Sequence, residues 1–197
     1  GCTAVVVADV NTYKAAGAEA CESLKASGIP TMEPFIFEDS DLYAEWSFLM
    51  RLENHLKGCD AIAVAVGSGV INDLAKLASE HLGRRYIIVG TAASMDGYTA
   101  YGASITFEGN KQTFDCKAPM GVIIDPEIAA GAPSEMAASG YADLIAKVPA
   151  AADWMLAEAA GEEPIDTFAY KLLHENLKES LAYPAEVHAR EVKPTEM

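Results

Sequence analysis

Gly67-Ser68-Gly69 follows an apolar run, Ala61 to Val66, and leads directly into Val70-Ile71-Asn72-Asp73-Leu74. Strand, glycine turn and helix in that order make a phosphate cradle. Residues without a Cβ let the backbone take positive φ and press close to a ligand, while the helix aims its free N–H groups and positive dipole end at the same point. A tight turn with no ligand accounts for the same residues, and Gly-x-Gly alone does not separate the two readings. A second segment, Thr91 to Tyr98, offers the hydroxyls of Thr91 and Ser94 and the carboxylate of Asp96. Hydroxyls can bind phosphate or ribose, and Asp96 can accept from a substrate hydroxyl; an ST-turn and a helix cap are the plainer duties. A third, Ser139 to Lys147, places Asp143 among small and apolar neighbours. An acid there is costly to bury unless it meets a cation, a metal or hydrogen-bond donors, so Asp143 is a ligand or a cap. Asp153-Trp154 is a weaker case and reads as structural.

These segments need a scaffold, and strand and helix signals alternate along the chain. Residues 3 to 8 read as a strand reaching Asp9, 11 to 27 as a helix ended by Gly28, and 31 to 37 as a short strand. Leu42, Trp46, Leu49, Met50, Glu53 and Leu56 fall in helical register over 41 to 57. Residues 61 to 66 and 86 to 90 are further strands, and Ile71, Leu74, Ala75, Leu77, Ala78 and Leu82 give the intervening helix one apolar face. Near-continuous Val/Ile/Ala strands in βαβ order predict a Rossmann-like α/β fold, a parallel sheet with helices on both faces and ligands at the strands' carboxyl ends. Shorter strands at 101 to 107, 112 to 116 and 122 to 125 surround a hairpin turn at Gly109-Asn110. From Pro133 the composition shifts to Ala, Met, Glu and Leu, so an NAD(P)-binding domain over 1–133 and the beginning of an all-helical domain over 134–197 are expected. Residues 182 to 197 lack periodicity and read as an exposed tail.

With 197 residues the chain can bury a full α/β core, and its net charge of −15 argues against nucleic acid or anionic lipid and for a small metabolite. No apolar run exceeds a strand's length and no signal-peptide pattern opens the chain, so a cytoplasmic protein without membrane insertion is expected. The start at Gly1-Cys2 suggests that an upstream segment has been removed. Cys2, Cys21, Cys59 and Cys116 lack disulfide or zinc spacing and read as reduced thiols.

Taken together, Gly67 to Asp73, Thr91 to Tyr98, Lys117-Ala-Pro-Met-Gly-Val, Ala138 to Lys147 and Ala152-Asp-Trp154 occur in the order and spacing of the glycerol-1-phosphate dehydrogenases. The likeness runs from residue 3 to about 175. Within the wider group of iron-containing alcohol dehydrogenases, glycerol dehydrogenases and dehydroquinate synthases, the sequence resembles that branch most. The resemblance implies hydride transfer between NAD or NADP and a phosphorylated triose, interconverting dihydroxyacetone phosphate and sn-glycerol 1-phosphate. It implies that Asp9 meets the adenosine side of the nucleotide and that Gly69, Val70, Ile71, Asn72 and Asp73, beside Gly67, line the pyrophosphate and nicotinamide ribose. Thr91 and Ser94 would bind the cofactor. Asp96 would bind substrate, and Asp143 would bind both substrate and a divalent metal (Zn, Ni or Fe) that polarises the ketone, which makes Asp96 and Asp143 the catalytic candidates. Family members carry a Gly-x-Glu-His segment and a later histidine as the other metal ligands; neither is in this sequence, and Ala100 stands where the family has a cofactor-binding serine. His174 and His188 read as surface histidines. Three protein ligands make a catalytic zinc-type site, so one carboxylate alone would hold a divalent ion weakly. A fragment or truncated relative is expected, homo-oligomeric through apolar helix surface. Two other functions fit: a non-catalytic nucleotide-binding module, or a relative acting on another polyol or a cyclising sugar phosphate.

Overall fold

The computed structural model describes residues 3–192. Expectations for the Cys2 thiol and for the far end of the tail lie outside the described residues. Strands β1 (Ala4–Asp9), β2 (Phe35–Phe37), β3 (Ile62–Gly67), β4 (Tyr86–Gly90) and β7 (Gly121–Ile124) form one parallel sheet in the order β2-β1-β3-β4-β7. β5 (Ala103–Phe107) and β6 (Asn110–Phe114) pair as a separate antiparallel hairpin.

Helices cover both faces because the strands are apolar at every position. Val5 and Val7 of β1 and Ala63 and Ala65 of β3 point to one side, against Leu49, Leu52 and Leu56 of α3 (Trp46–Lys57) and Leu74 and Leu77 of α4 (Gly69–His81). Ala4, Val6, Ala8, Val64 and Val66 point to the other. There they meet a helical stretch made of α1 (Val10–Thr12), a π-helical turn (Tyr13–Gly17) and α2 (Ala18–Ala26), joined by Ile128 of α5 (Pro126–Ala130). Then come α6 (Ser134–Ala160), α7 (Thr167–His174), α8 (Leu177–Ser180) and α9 (Pro184–His188). None of the described helices is long and apolar enough to cross a membrane. α6 and α7 expose Leu156, Phe168 and Leu172 to solvent.

Four details differ from the sequence reading. α3 starts at Trp46, not near 41, because the Glu45 side chain caps it by accepting from Ser47 N–H at 2.8 Å, which holds Glu45 extended. The hairpin turn centres on Glu108 and Gly109, both at positive φ, one residue earlier than expected, since Phe107 pairs with Asn110. Residues 184–188 of the expected tail are helical and pack back on the body: Arg190 Nη1 donates to the Ala132 carbonyl at 3.0 Å and Tyr141 Oη to Leu181 O at 2.8 Å. Gly67 and Gly69 do not use positive φ, which is confined to Gly28, Gly83, Gly102, Gly109 and Gly161 among the glycines.

Gly67 is required for another reason: a Cβ there would lie 2.6 Å from Ile71 Cβ, so its bareness lets α4 sit directly against the end of β3. The side chain of Lys76, fully buried in α4, donates to the carbonyls of Ala100 (2.8 Å) and Gly102 (3.1 Å). That single ammonium fastens the chain between β4 and β5 to the helix behind it, and with it the loop carrying Asp96.

Candidate functional site

The carboxyl ends of β1, β3 and β4 lie side by side, with Gly67 paired to Gly90. They deliver Asp9, Ser68 and Thr91 to the rim of one cavity of about 470 Å³, closed on its far side by Ile128, Gly131, Pro133 and Met136. Strand order reverses between β1 and β3, the place where open parallel sheets hold ligands.

Asp9 is the N-cap of α1. Its Oδ1 accepts from the N–H groups of Asn11 (2.8 Å) and Thr12 (2.9 Å), while Thr12 Oγ1 accepts from Asp9 N–H, a reciprocal capping box. Oδ2 has no part in these bonds. α4 differs from α1: Ser68 makes no side-chain cap, so the N–H groups of Gly69, Val70 and Ile71, which have no partner within an α-helix, are left for an anion. The side chains of Ile71 and Asn72 face the core, where Asn72 Oδ1 accepts from the Tyr86 hydroxyl at 2.9 Å, and Val70 packs against the same core. These three residues present main chain, not side chain, to the cradle. Asp73 Oδ2 turns to β5 and accepts from Ser104 N–H at 3.2 Å; burial raises its pKa, opposed by Lys76 and that N–H. Above Gly69 the space is not bare. Met95 lies in van der Waals contact distance of a Cβ built there, 3.7 Å from its methyl, so a diphosphate resting on Gly69 requires this flexible side chain to swing aside.

Thr91 is buried and ties β4 to β3 through its N–H on the Gly67 carbonyl at 3.1 Å. Beyond it the loop meets α6, and the reason is Gly140: a Cβ there would sit 2.0 Å from Ala93 O and 3.3 Å from Ser94 Cα. One turn along α6, Asp143 Oδ2 accepts from Asp96 N–H at 3.0 Å. Lys147, a further turn on, joins both acids, its Nζ 2.9 Å from Asp96 Oδ2 and 3.1 Å from Asp143 Oδ1. Burial works against the Asp143 charge, yet the Asp96 N–H and the Lys147 ammonium outweigh it and hold its pKa below the usual carboxylate range. Burial likewise opposes the Lys147 charge, and Asp96 and Asp143 overcome it, raising its pKa. Asp96, Gly140 and Tyr141 rim a second, mainly apolar cavity of about 520 Å³ that runs on to Ile124 and Val187.

Thus Asp9, Ser68 and Thr91 gather at one cavity and Asp96 rims the next, with Asp143 bonded to Asp96 and Ser94 on the loop between the cavities. Lys147 is the member that sequence reasoning passed over, although a lysine four residues after an aspartate on a helix is a legible pair. The metal expectation meets a poorer fit. No three His, Cys, Asp or Glu among the described residues are grouped to hold an ion. His174 is half-buried, its Nδ1 2.8 Å from Tyr170 O and Nε2 3.4 Å from Lys147 O, and His188 is exposed.

Among curated relatives, the chain is 31% identical over 187 residues to the glycerol-1-phosphate dehydrogenase [NAD(P)+] of Geobacillus thermodenitrificans, covering 94% of this chain and 46% of that protein. It is 34% identical over 181 residues to that of Methanothermobacter thermautotrophicus, covering 91% and 46%. The chain therefore spans about half the length of the curated relatives it matches. The crystal structure of an iron-containing alcohol dehydrogenase from Thermotoga maritima superposes with a TM-score of 0.71 over 99% of this chain and 59% of that one, at 17% identity, a likeness of fold. A sequence profile of the iron-containing alcohol dehydrogenases matches residues 1–133, the whole sheet and the loops at its carboxyl edge. On that match the chain belongs to the iron-containing alcohol dehydrogenase family.

Proposed function

We propose that the protein is an NAD(P)-dependent oxidoreductase that interconverts dihydroxyacetone phosphate and sn-glycerol 1-phosphate. The observation that carries this reading is the meeting of Asp96, on the loop beyond β4, with Asp143 of α6, 47 residues away, near the uncapped N-terminus of α4. The nicotinamide, when bound, supplies or accepts the hydride. The chain's own part is to hold the nucleotide and orient the triose. N–H groups of Gly69, Val70 and Ile71 take the diphosphate, Thr91 and Ser68 offer hydroxyls beside it, and Asp9 keeps one free carboxylate oxygen at the same cavity for a ribose. Asp96 and Asp143 accept from substrate hydroxyls. Among the described residues, the positive charge held against both carboxylates is the Lys147 ammonium.

The complete protein is expected to oxidise NADH when dihydroxyacetone phosphate is added, followed at the nicotinamide absorbance. Asp96→Asn and Asp143→Asn should each lower kcat/KM by about 100-fold or more while leaving NADH affinity within about threefold. Absence of turnover, or indifference to both substitutions, would end the reading.

Coenzyme choice follows from Asp9. No Lys or Arg lines its cavity, and a 2′-phosphate would face its carboxylate. Asp9→Ser keeps a capping oxygen for α1 but removes the charge. It should tighten NADPH binding relative to NADH by about tenfold, read from the two Kd values by fluorescence. An unchanged ratio would place the ribose elsewhere.

A further inference from the structure

The Asp143 carboxylate, held by the main-chain N–H of Asp96, stands close to the Asp96 carboxylate, and two such acids need a counter-charge. Here it comes from a lysine. Lys147 sits one turn past Asp143 on α6, and that spacing aims its four-carbon stem along the helix to the gap between Asp143 and Asp96. Its side chain is only 18% exposed, against 33% for Asp143 and 48% for Asp96, so Lys147 is the most buried side chain of the three. Both its ion pairs, at 2.9 and 3.1 Å, are ordinary charge-assisted hydrogen bonds, and the third contact, Asp96 N–H to Asp143 Oδ2, completes a closed ring. A divalent ion would find each acid with one oxygen already committed to the lysine. Among the described residues no third His, Cys, Asp or Glu is grouped with the two acids, so an ion there would draw its remaining ligands from water.

We propose that Lys147 is the resident cation of the Asp96–Asp143 pair: an ammonium occupies the position between the carboxylates, and a divalent ion reaches them only by displacing it. The inference rests on α6 and the loop beyond β4, not on which substrate is turned over. Lysine suits the role better than arginine would, because its charge is compact and its stem can withdraw without leaving a planar fork to be accommodated. Removing the charge leaves two facing acids uncompensated, which must repel each other and attract a cation from solution.

The test uses Mn²⁺, which favours oxygen ligands, with free ion counted by electron paramagnetic resonance on the chain itself. Lys147→Met should bind one Mn²⁺ about tenfold or more tightly than the wild type, and Lys147→Met/Asp143→Asn should lose that gain. Added Mn²⁺ should also raise the Tm of Lys147→Met by about 3–6 °C and leave the wild type almost unmoved. Should Lys147→Met fail to fold without ion, Lys147→Gln, which can still donate to both acids, carries the same comparison. Equal Mn²⁺ affinity in wild type and variants, or tight binding by the wild type, would overturn the proposal. Neither readout involves nucleotide or turnover, so a failure here leaves the oxidoreductase reading standing, and the reverse.

Discussion

Gly140→Ala is expected to pull Asp143 away from Asp96 and to destabilise the protein by about 2–4 kcal/mol, a far larger loss than alanine brings at an ordinary helix position. The added Cβ would stand 2.0 Å from the Ala93 carbonyl oxygen and 2.9 Å from its carbon. Those atoms belong to backbone, not to a side chain that can rotate, so α6 or the loop must retreat by more than 1 Å to restore ordinary contact. Helix propensity favours alanine over glycine by about 1 kcal/mol, so a net loss of stability would itself point to the collision. Asp143 lies three residues further along the same helix, and its 3.0 Å bond from Asp96 N–H and the Lys147 bridge span the very gap that would widen. Denaturant unfolding should show the lower midpoint. Titration of the Asp143 carboxyl, followed by NMR, should show its pKa returning upward toward the usual carboxylate value as the Asp96 N–H and the ammonium recede. Wild-type stability together with an unchanged Asp143 titration would mean that α6 is not held by this approach.

The sheet was legible because its strands announce themselves by composition. β1, β3 and β4 are runs of Val, Ile and Ala with no polar alternation, and only burial on both faces accommodates that, so parallel order and two helical layers follow. α4 was equally plain from its apolar spacing. What stayed hidden depended on contacts between distant residues. Glu45 fits the periodicity of a helix starting near 41 but caps one starting at Trp46, a distinction made by its own side-chain bond to Ser47. Residues 184–188 carry weak local preference for a helix and gain theirs from the body, to which Arg190 is anchored through the Ala132 carbonyl. At the candidate site, the sequence singled out both Asp96 and Asp143 without any means of knowing that they touch. Gly140 was visible only as a glycine entering a helix. Its role, the closeness of α6 to Ala93, exists only once the fold has brought residues 47 positions apart together. The glycines after β3 were read for conformational freedom, whereas Gly67 serves by what it lacks, a Cβ in the path of Ile71.

Lys76→Met should be the most damaging of the single substitutions, about 3–5 kcal/mol at neutral pH and roughly 10 °C in Tm, even though methionine fills similar space. Burial lowers the Lys76 pKa, so the ammonium is held at a cost that its partners offset: the carbonyls of Ala100 and Gly102 and the nearby charge of Asp73. Methionine satisfies none of them. Two carbonyls lose their donor and Asp73 loses its nearest opposing charge. The pH dependence identifies which loss dominates. The folded-state pKa of Asp73 is already raised above 3.8, chiefly by burial, and without the lysine it must rise further. A carboxyl whose folded pKa exceeds its unfolded value binds the proton more tightly when folded, so its neutral form favours folding at low pH and that contribution is lost as pH rises through the folded value. The deficit of Lys76→Met against wild type should therefore narrow as pH falls through the raised pKa of Asp73, where the carboxyl takes up its proton. A deficit that stays constant across that range would assign the damage to the two carbonyls and the loosened Gly97–Gly102 loop instead. In that case nucleotide and Asp96-dependent substrate binding should suffer together with stability, because the same ammonium fixes the loop on which Asp96 stands.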